Sequence, residues 1–144
     1  MTALSSYRDT RRMGDDVYPV ILDLLVADNV HLFKGAIVGL AGGYAAPAGS
    51  ACSKVVGIAE SEVDNTQPGH ALGAKRVRVR QGTFKVANSA AADALGIADI
   101  GNLCYAADDQ TAAKTAGANL PVAGTVIGVD PDGVWVQMNL DGRS

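Results

Sequence analysis

Arg76-Val77-Arg78-Val79-Arg80-Gln81-Gly82-Thr83-Phe84-Lys85-Val86 is the stretch that decides how this chain folds. Three arginines alternate with two valines, and a period of two places successive side chains on opposite faces of a β-strand. The valines then face a core and the arginines face away from it. Beyond Gln81-Gly82 the apolar positions are Phe84 and Val86, so their parity changes from odd to even. An uninterrupted strand cannot change parity, so the sequence predicts a β-bulge or tight turn at Gly82 that inserts one residue and restores the inward face.

Further strands lie on both sides of this stretch. Pro19 can stand at the start or edge of a strand. Val20, Ile21, Leu22, Leu24, Leu25 and Val26 follow, interrupted only by Asp23, which predicts a strand covered on both faces. Asp28-Asn29 signals a turn. Gly35 to Leu40 reads as a second strand ending at Gly42-Gly43, and Val55, Val56 and Ile58 as a third. Ser89 ahead of Ala90 to Leu95, stopped by Gly96, predicts one short N-capped helix. Leu103–Ala107 and Thr111–Lys114 flank Asp108-Asp109-Gln110 as a hairpin. The last hairpin joins Val122–Val129 to Val134–Leu140 through Asp130-Pro131-Asp132-Gly133, with Pro second and Gly fourth as a type I turn requires. In its second strand Val134, Val136, Met138 and Leu140 point inward, and Trp135, Gln137 and Asn139 outward. About seven short strands at this spacing predict an all-β fold, a small barrel or sandwich. Residues 17–144 form the single β-domain. Residues 1–16, with three Arg and three Asp and no period, form an extended N-terminal arm. That arm is either a frayed terminus or a segment that orders on a neighbouring subunit through Arg8, Arg11 and Arg12.

The composition is consistent with this and excludes other classes. Alanine and glycine number 24 and 17 of 144 residues, whereas Phe, Trp and Tyr number two, one and four. The larger aliphatics are dominated by 16 Val, which favours strands. A formal net charge of −3 gives no basic field toward nucleic acid or anionic membrane. The longest uncharged run, residues 35–53, contains Pro47 and five Gly and does not read as a membrane span. Charged residues at 8–12 stand where a signal peptide would be apolar. Cys52 and Cys104 are too few and too far apart for a disulfide framework or a zinc site, and read as two reduced, buried thiols or one bridge. The expectation is a soluble protein made in a reducing cytoplasm.

Chemistry is sparse. His31 and His70 have no acid or nucleophile at a motif spacing, and no metalloprotease, nucleophile-elbow or phosphate-loop pattern occurs. The expectation is a protein that is not an enzyme and holds no cofactor and no metal. Asp130-x-Asp132-Gly133 suggests a calcium loop, but Trp135 and Asp141 stand where such a loop needs Gly and Glu, and the turn accounts for all four residues. The Arg76, Arg78, Arg80 ladder is either a solvated or salt-bridged face or an interface for an acidic partner surface. Nucleic acid fits less well, because no aromatics interleave with the arginines. Trp135 is an interface anchor or a cap over a second layer.

From its middle onward the chain resembles the capsid cement, or head-decoration, proteins of tailed bacteriophages. The resemblance runs through Gly57-Ile58-Ala59-Glu60-Ser61, Val63-Asp64-Asn65, Arg76 to Phe84, and Asn88-Ser89-Ala90. It continues through Ala98-Asp99-Ile100-Gly101, Cys104-Tyr105, Asp108 to Thr115, Ala123-Gly124-Thr125-Val126, and Asp130 to Val136. These segments, in order, span about two-thirds of the chain. The resemblance implies a β-tulip-like fold, and a virion structural protein that binds the outer surface of the head as a homotrimer and stabilises the lattice of its partner, the major capsid protein. It carries over no catalytic residue and implies no direct nucleic-acid or membrane partner. The candidate interface residues are then Arg8, Arg11, Arg12, Arg76, Arg78, Arg80 and Trp135. A tail or head-fibre-base component, and a virion-displayed receptor- or carbohydrate-binding module, are the rival readings.

Overall fold

The structure is a computed structural model that describes residues 21–117 and 119–138. The expected arm at 1–16, with Arg8, Arg11 and Arg12, lies outside the described residues, as do Pro19, Val20 and Leu140. The described chain is all-β. Twelve strands occur among these residues: β1 (Ile21–Leu25), β2 (His31–Leu32), β3 (Ile37–Ala41), β4 (Tyr44–Pro47), β5 (Lys54–Ala59), β6 (Val63–Asp64), β7 (Arg76–Arg80), β8 (Gly82–Asn88), β9 (Leu103–Ala106), β10 (Thr111–Ala113), β11 (Val122–Asp130) and β12 (Gly133–Met138). They form a five-stranded sheet in the order β1-β7-β5-β3-β4, a closed five-stranded barrel in the order β10-β8-β12-β11-β9, and a β2–β6 pair. The five-stranded sheet curls until Val26, just past β1, bridges Ala45 on β4.

Each β-layer encloses its own core. Val26, Leu32, Val38, Ala45, Val56, Ala59, Val77 and Val79 fill the concave side of the curled sheet. The barrel holds Val86, Leu95, Cys104, Ala106, Ala112, Ala123, Val126, Val134, Val136 and Met138. A barrel of only five strands has a narrow lumen, and Ala, Val and Cys fill it where aromatic rings would not fit. The alanine-rich, aromatic-poor composition follows from that width. Ile37, Ala48 and Val55, from the other face of the curled sheet, complete the barrel's core. The middle strands β3 and β5 are therefore covered on both faces, whereas β7 is buried only through Val77 and Val79, which are 1% and 0% exposed.

The parity change at Gly82 is where the two layers join. Gly82 is neither a bulge nor a turn. β7 ends at Arg80 in the curled sheet and β8 begins at Gly82 in the barrel, so the chain passes from one sheet to the other and its inward face is redefined. Phe84 and Val86 then face the barrel core. The bulges lie elsewhere, in β3–β5 at Val38/Gly39, in β9–β11 at Val122/Gly124 and in β11–β12 at Val126/Gly128.

Two glycines bring strands unusually close. A Cβ on Gly57 would lie 2.4 Å from the Arg80 carbonyl oxygen, and one on Gly124 would lie 2.0 Å from that of Gln137. In each case the following residue pairs with the one whose carbonyl is approached, Ile58 with Arg80 and Thr125 with Gln137. Gly133 repeats the device less tightly in the barrel, where a Cβ would lie 2.7 Å from the carbonyl oxygen of Val86, the residue that pairs with Val134.

Two other expectations change. β1 is not covered on both faces, since Ile21 and Leu25 are each 37% exposed. The barrel overlies β3 and β5 but not the β1 edge. The segment after Ser89 is no α-helix but a single 3-10 turn, Ala91–Asp93, followed by another at Ile97–Asp99. Ser89 does not cap it, because its hydroxyl donates to the Ala112 carbonyl at 2.8 Å. Asn88 fastens the segment instead, its side chain donating to the Leu95 carbonyl and accepting from the Leu95 N–H, both at 2.9 Å. The hairpins at 103–114 and 122–138 form as expected. Asp108 accepts from the Gln110 N–H at 2.9 Å in the first, and the second closes on an Asp130–Gly133 pair. Val134, Val136 and Met138 are wholly buried.

Both cysteines are free and buried. Burial in the barrel pushes the Cys104 thiol up to about 12. At pH 8 the native protein should therefore leave Cys104 unmodified by iodoacetamide, whereas urea-unfolded chain takes up the label at both cysteines. Mass spectrometry of the two samples checks this, and rapid native labelling of Cys104 would contradict the barrel placement.

Candidate functional site

The arginine ladder lies on the outer face of β7, because Val77 and Val79 point into the curled sheet. Antiparallel register with β1 sets Arg80 opposite Ile21, Arg78 opposite Asp23 and Arg76 opposite Leu25. On the other side Arg80 pairs with Ile58 of β5, which in turn pairs with Ile37 of β3. One row therefore runs Ile37, Ile58, Arg80, Ile21 across four strands, from the barrel core at one end to solvent at the other. The arginines lie on the same sheet face that, two strands over, meets the barrel.

Ion pairing within the ladder is unequal. Arg76 donates through Nη1 to Asp23 Oδ2 at 3.3 Å, and Arg80 donates through Nε to Glu60 Oε1. Arg78, flanked by both carboxylates, makes no ion pair among the described residues. The salt-bridged reading of the ladder holds for two of its three members. Its two outer members are salt-bridged within the fold, and the central guanidinium is left uncommitted. Exposed pairs of this kind contribute on the order of 0–1 kcal/mol to stability, so they orient the side chains more than they hold the fold. Exposed Ile21 and Leu25 lie opposite Arg80 and Arg76, giving a mixed apolar and cationic surface.

At the Arg80 end a cleft of about 350 Å³ opens where sheet and barrel meet, lined by Lys34, Gly35, Ile58, Ala59, Glu60, Arg80 and Phe84. Lys34 stands on the turn at 33–36, closed by the Ala36 N–H donating to the Phe33 carbonyl at 3.1 Å. Sequence reasoning did not include Asp23, Glu60, Lys34, Ile58 or Phe84 in this face. Asp23 carried a signal, as the lone charge in an otherwise apolar strand. The others meet only through tertiary pairing.

Trp135 points outward as expected, on β12 of the barrel, and is not part of the ladder. Its indole Nε1 donates to Asp130 Oδ2 at 2.9 Å, and Lys85 Nζ lies 5.9 Å from the ring centroid. Lys85 also bridges Asp132 at 2.6 Å and Asp130 at 3.4 Å. The Asp132 carboxylate raises the Lys85 ammonium, and the ammonium in turn lowers Asp132. The two aspartates that suggested calcium are thus committed to a lysine and an indole. No group of three or more His, Cys, Asp or Glu among the described residues could hold a metal ion. Among the same residues no helix is long and apolar enough to cross a membrane.

The histidines each acquire a carboxylate the sequence spacing did not reveal. His31 Nε2 lies 2.6 Å from Glu62 Oε2 and its ring stacks on Phe33, with centroids 4.2 Å apart. His70 Nδ1 lies 2.7 Å from Asp28 Oδ1. Nearby, side-chain hydrogen bonds from Thr66 and Gln67 hold Asp64 down to about 2. The two histidine contacts join residues on either side of β6 to β2 and the turn before it.

Comparison of the chain with protein-family models, with curated proteins and with solved structures finds no match in any of the three.

Proposed function

We propose that this chain is a non-enzymatic virion structural protein, a head-decoration or capsid cement protein of a tailed phage, that binds the outer face of the assembled head as an oligomer. The observation that carries the reading is the outer face of β7 and β1. Arg76, Arg78 and Arg80 stand in register with Ile21, Asp23 and Leu25, and the central guanidinium has no partner within the described fold. Arginine alternating with exposed aliphatics is interface composition rather than ordinary solvated surface. The ordered resemblance across two-thirds of the sequence supplies the partner, the major capsid protein. Repetition over many symmetric positions adds avidity to a modest contact, and binding to the expanded shell alone stabilises that state by linkage.

Purified protein added to expanded heads that lack it is expected to co-sediment with them and to raise their disruption temperature. Heads that tolerate heat and low salt equally well with and without it would remove the cementing role. Gold label confined to the tail in electron micrographs would move the protein to the tail or fibre base.

A further inference from the structure

The cleft beside Arg80 continues the exposed cationic face. Arg80 belongs to both, lining the cleft and pairing across the ladder with Ile21. Together the face and the cleft hold Lys34, Arg76, Arg78 and Arg80 against Asp23 and Glu60, a local excess of two positive charges on a chain of net charge −3. Arg80 uses Nε for Glu60, and among the described residues its two terminal nitrogens make no hydrogen bond. Lys34, across the cleft, likewise has no ion pair among the described residues. The floor between them is apolar, made of Ile58 and Phe84, both packed on the barrel core.

The geometry points to this cleft as the anchor for an extended acidic segment of the partner protein. One carboxylate sits between Arg80 and Lys34, and a second, two residues along the same segment, sits on Arg78. This rests on the reading above that the outer face of β7 meets a protein partner. The planar guanidinium fork matches a carboxylate with two parallel hydrogen bonds, and the terminal nitrogens of Arg80, which lines the cleft, make none among the described residues. Arg78 and Arg80 are alternate residues of one strand and so are about 6.7 Å apart along it. Alternate side chains of an extended partner segment have the same spacing, so two acidic residues separated by one other residue meet both arginines in register. Glutamate suits the cleft better than aspartate, because its methylenes cover Ile58 and Phe84 while its carboxylate reaches the cations. A nucleic-acid backbone is disfavoured because no aromatic side chains interleave with the arginines to stack bases.

The test uses the full chain. Arg78→Gln and Lys34→Gln should each weaken co-sedimentation with heads at least about tenfold, as loss of one partner of a desolvated charge pair does. Lys114→Gln, on the barrel side, should bind within about twofold of the parent. Melting temperatures of the Arg78 and Lys34 variants should not move, because neither side chain makes an ion pair among the described residues. In parallel, NMR titration with an extended five-residue peptide bearing glutamate at its second and fourth positions should shift the amide signals of Lys34, Arg78 and Phe84. The same peptide with glutamine at those positions should not. If the parent protein binds heads and both variants bind equally well, the cleft assignment is overturned and the decoration role stands. If the parent does not bind heads, the decoration role fails and the peptide titration alone judges the cleft; an unshifted spectrum then overturns that too. Shifts produced by a thymidine oligonucleotide but not by the glutamate peptide would replace a protein segment by nucleic acid as the occupant.

Discussion

Gly124→Ala should destabilise the protein by about 3 kcal/mol or more and lower its melting temperature by about 10 °C. The added Cβ would lie 2.0 Å from the Gln137 carbonyl oxygen and 2.8 Å from its carbonyl carbon. Backbone atoms cannot rotate away as the end of a side chain can, so the β11–β12 ladder must part locally. That ladder forms one wall of the barrel, with Val126 and Val136 paired and wholly buried on its inner face. Exposed Gly101, with nothing near its would-be Cβ, provides a comparison in which only backbone conformation changes. Urea denaturation of Gly124→Ala beside Gly101→Ala separates steric conflict from the general cost of replacing glycine. A loss at Gly124 no larger than that at Gly101 would refute the close approach.

Asn65→Asp should cost about 3–5 kcal/mol at pH 7, although the two side chains are nearly the same shape. Asn65 is wholly buried, and its Nδ2 donates to the Ala27 carbonyl at 2.8 Å and the Ala71 carbonyl at 2.9 Å. Its own N–H donates to the Val30 carbonyl at 2.9 Å. One residue thus ties three separate points of the 27–71 region. An ionised aspartate would set an acceptor oxygen, in the place of Nδ2, against both carbonyl oxygens and bury an unpaired charge. Burial raises the folded-state pKa of such a carboxyl, so the folded variant prefers the protonated form. The stability of the variant is then highest below the unfolded-state value of about 3.9 and falls as pH rises above it. Urea midpoints of parent and variant at pH 3.5 and pH 7 should therefore diverge at the higher pH. A difference that is the same at both would mean that Asn65 does not act as a buried double donor.

Much of the fold could be read residue by residue, and the failures have a common cause. The alternation at 76–80, the two hairpins and the inward Val134, Val136 and Met138 are set by local period and turn chemistry, which sequence displays directly. The sequence overstates the coverage of β1, because Ile21 and Leu25 are as apolar as core residues and only the position of the barrel decides that their side stays open. The helix expected after Ser89 had the right composition, but Asn88 and Ala112 compete for its backbone and its cap. Gly82 reads as a break in period. Its meaning as a crossing between sheets required knowing that there are two sheets. The same holds for the candidate site. Arg76, Arg78 and Arg80 declared a common face by spacing alone. Their pairing with Asp23 and Glu60, and the cleft formed with Lys34, Ile58 and Phe84, come from residues remote in the chain. Trp135 and the ladder, grouped from the sequence as candidate interface residues, lie on different sheets.

The passage of one strand from the curled sheet into the barrel has a mechanical consequence. No slack loop separates Arg80 from Gly82, so tension applied at the arginine face enters β8 through a single residue, Gln81. β7 is paired with β1 over five residues, and β8 with β12 over another five. Antiparallel hydrogen bonds run perpendicular to their strands, so a pull along the β7–β8 axis loads the bonds of both ladders together in shear instead of peeling them one by one. The covalent line carrying the exposed cations is thereby also the line along which the two halves of the molecule share strain.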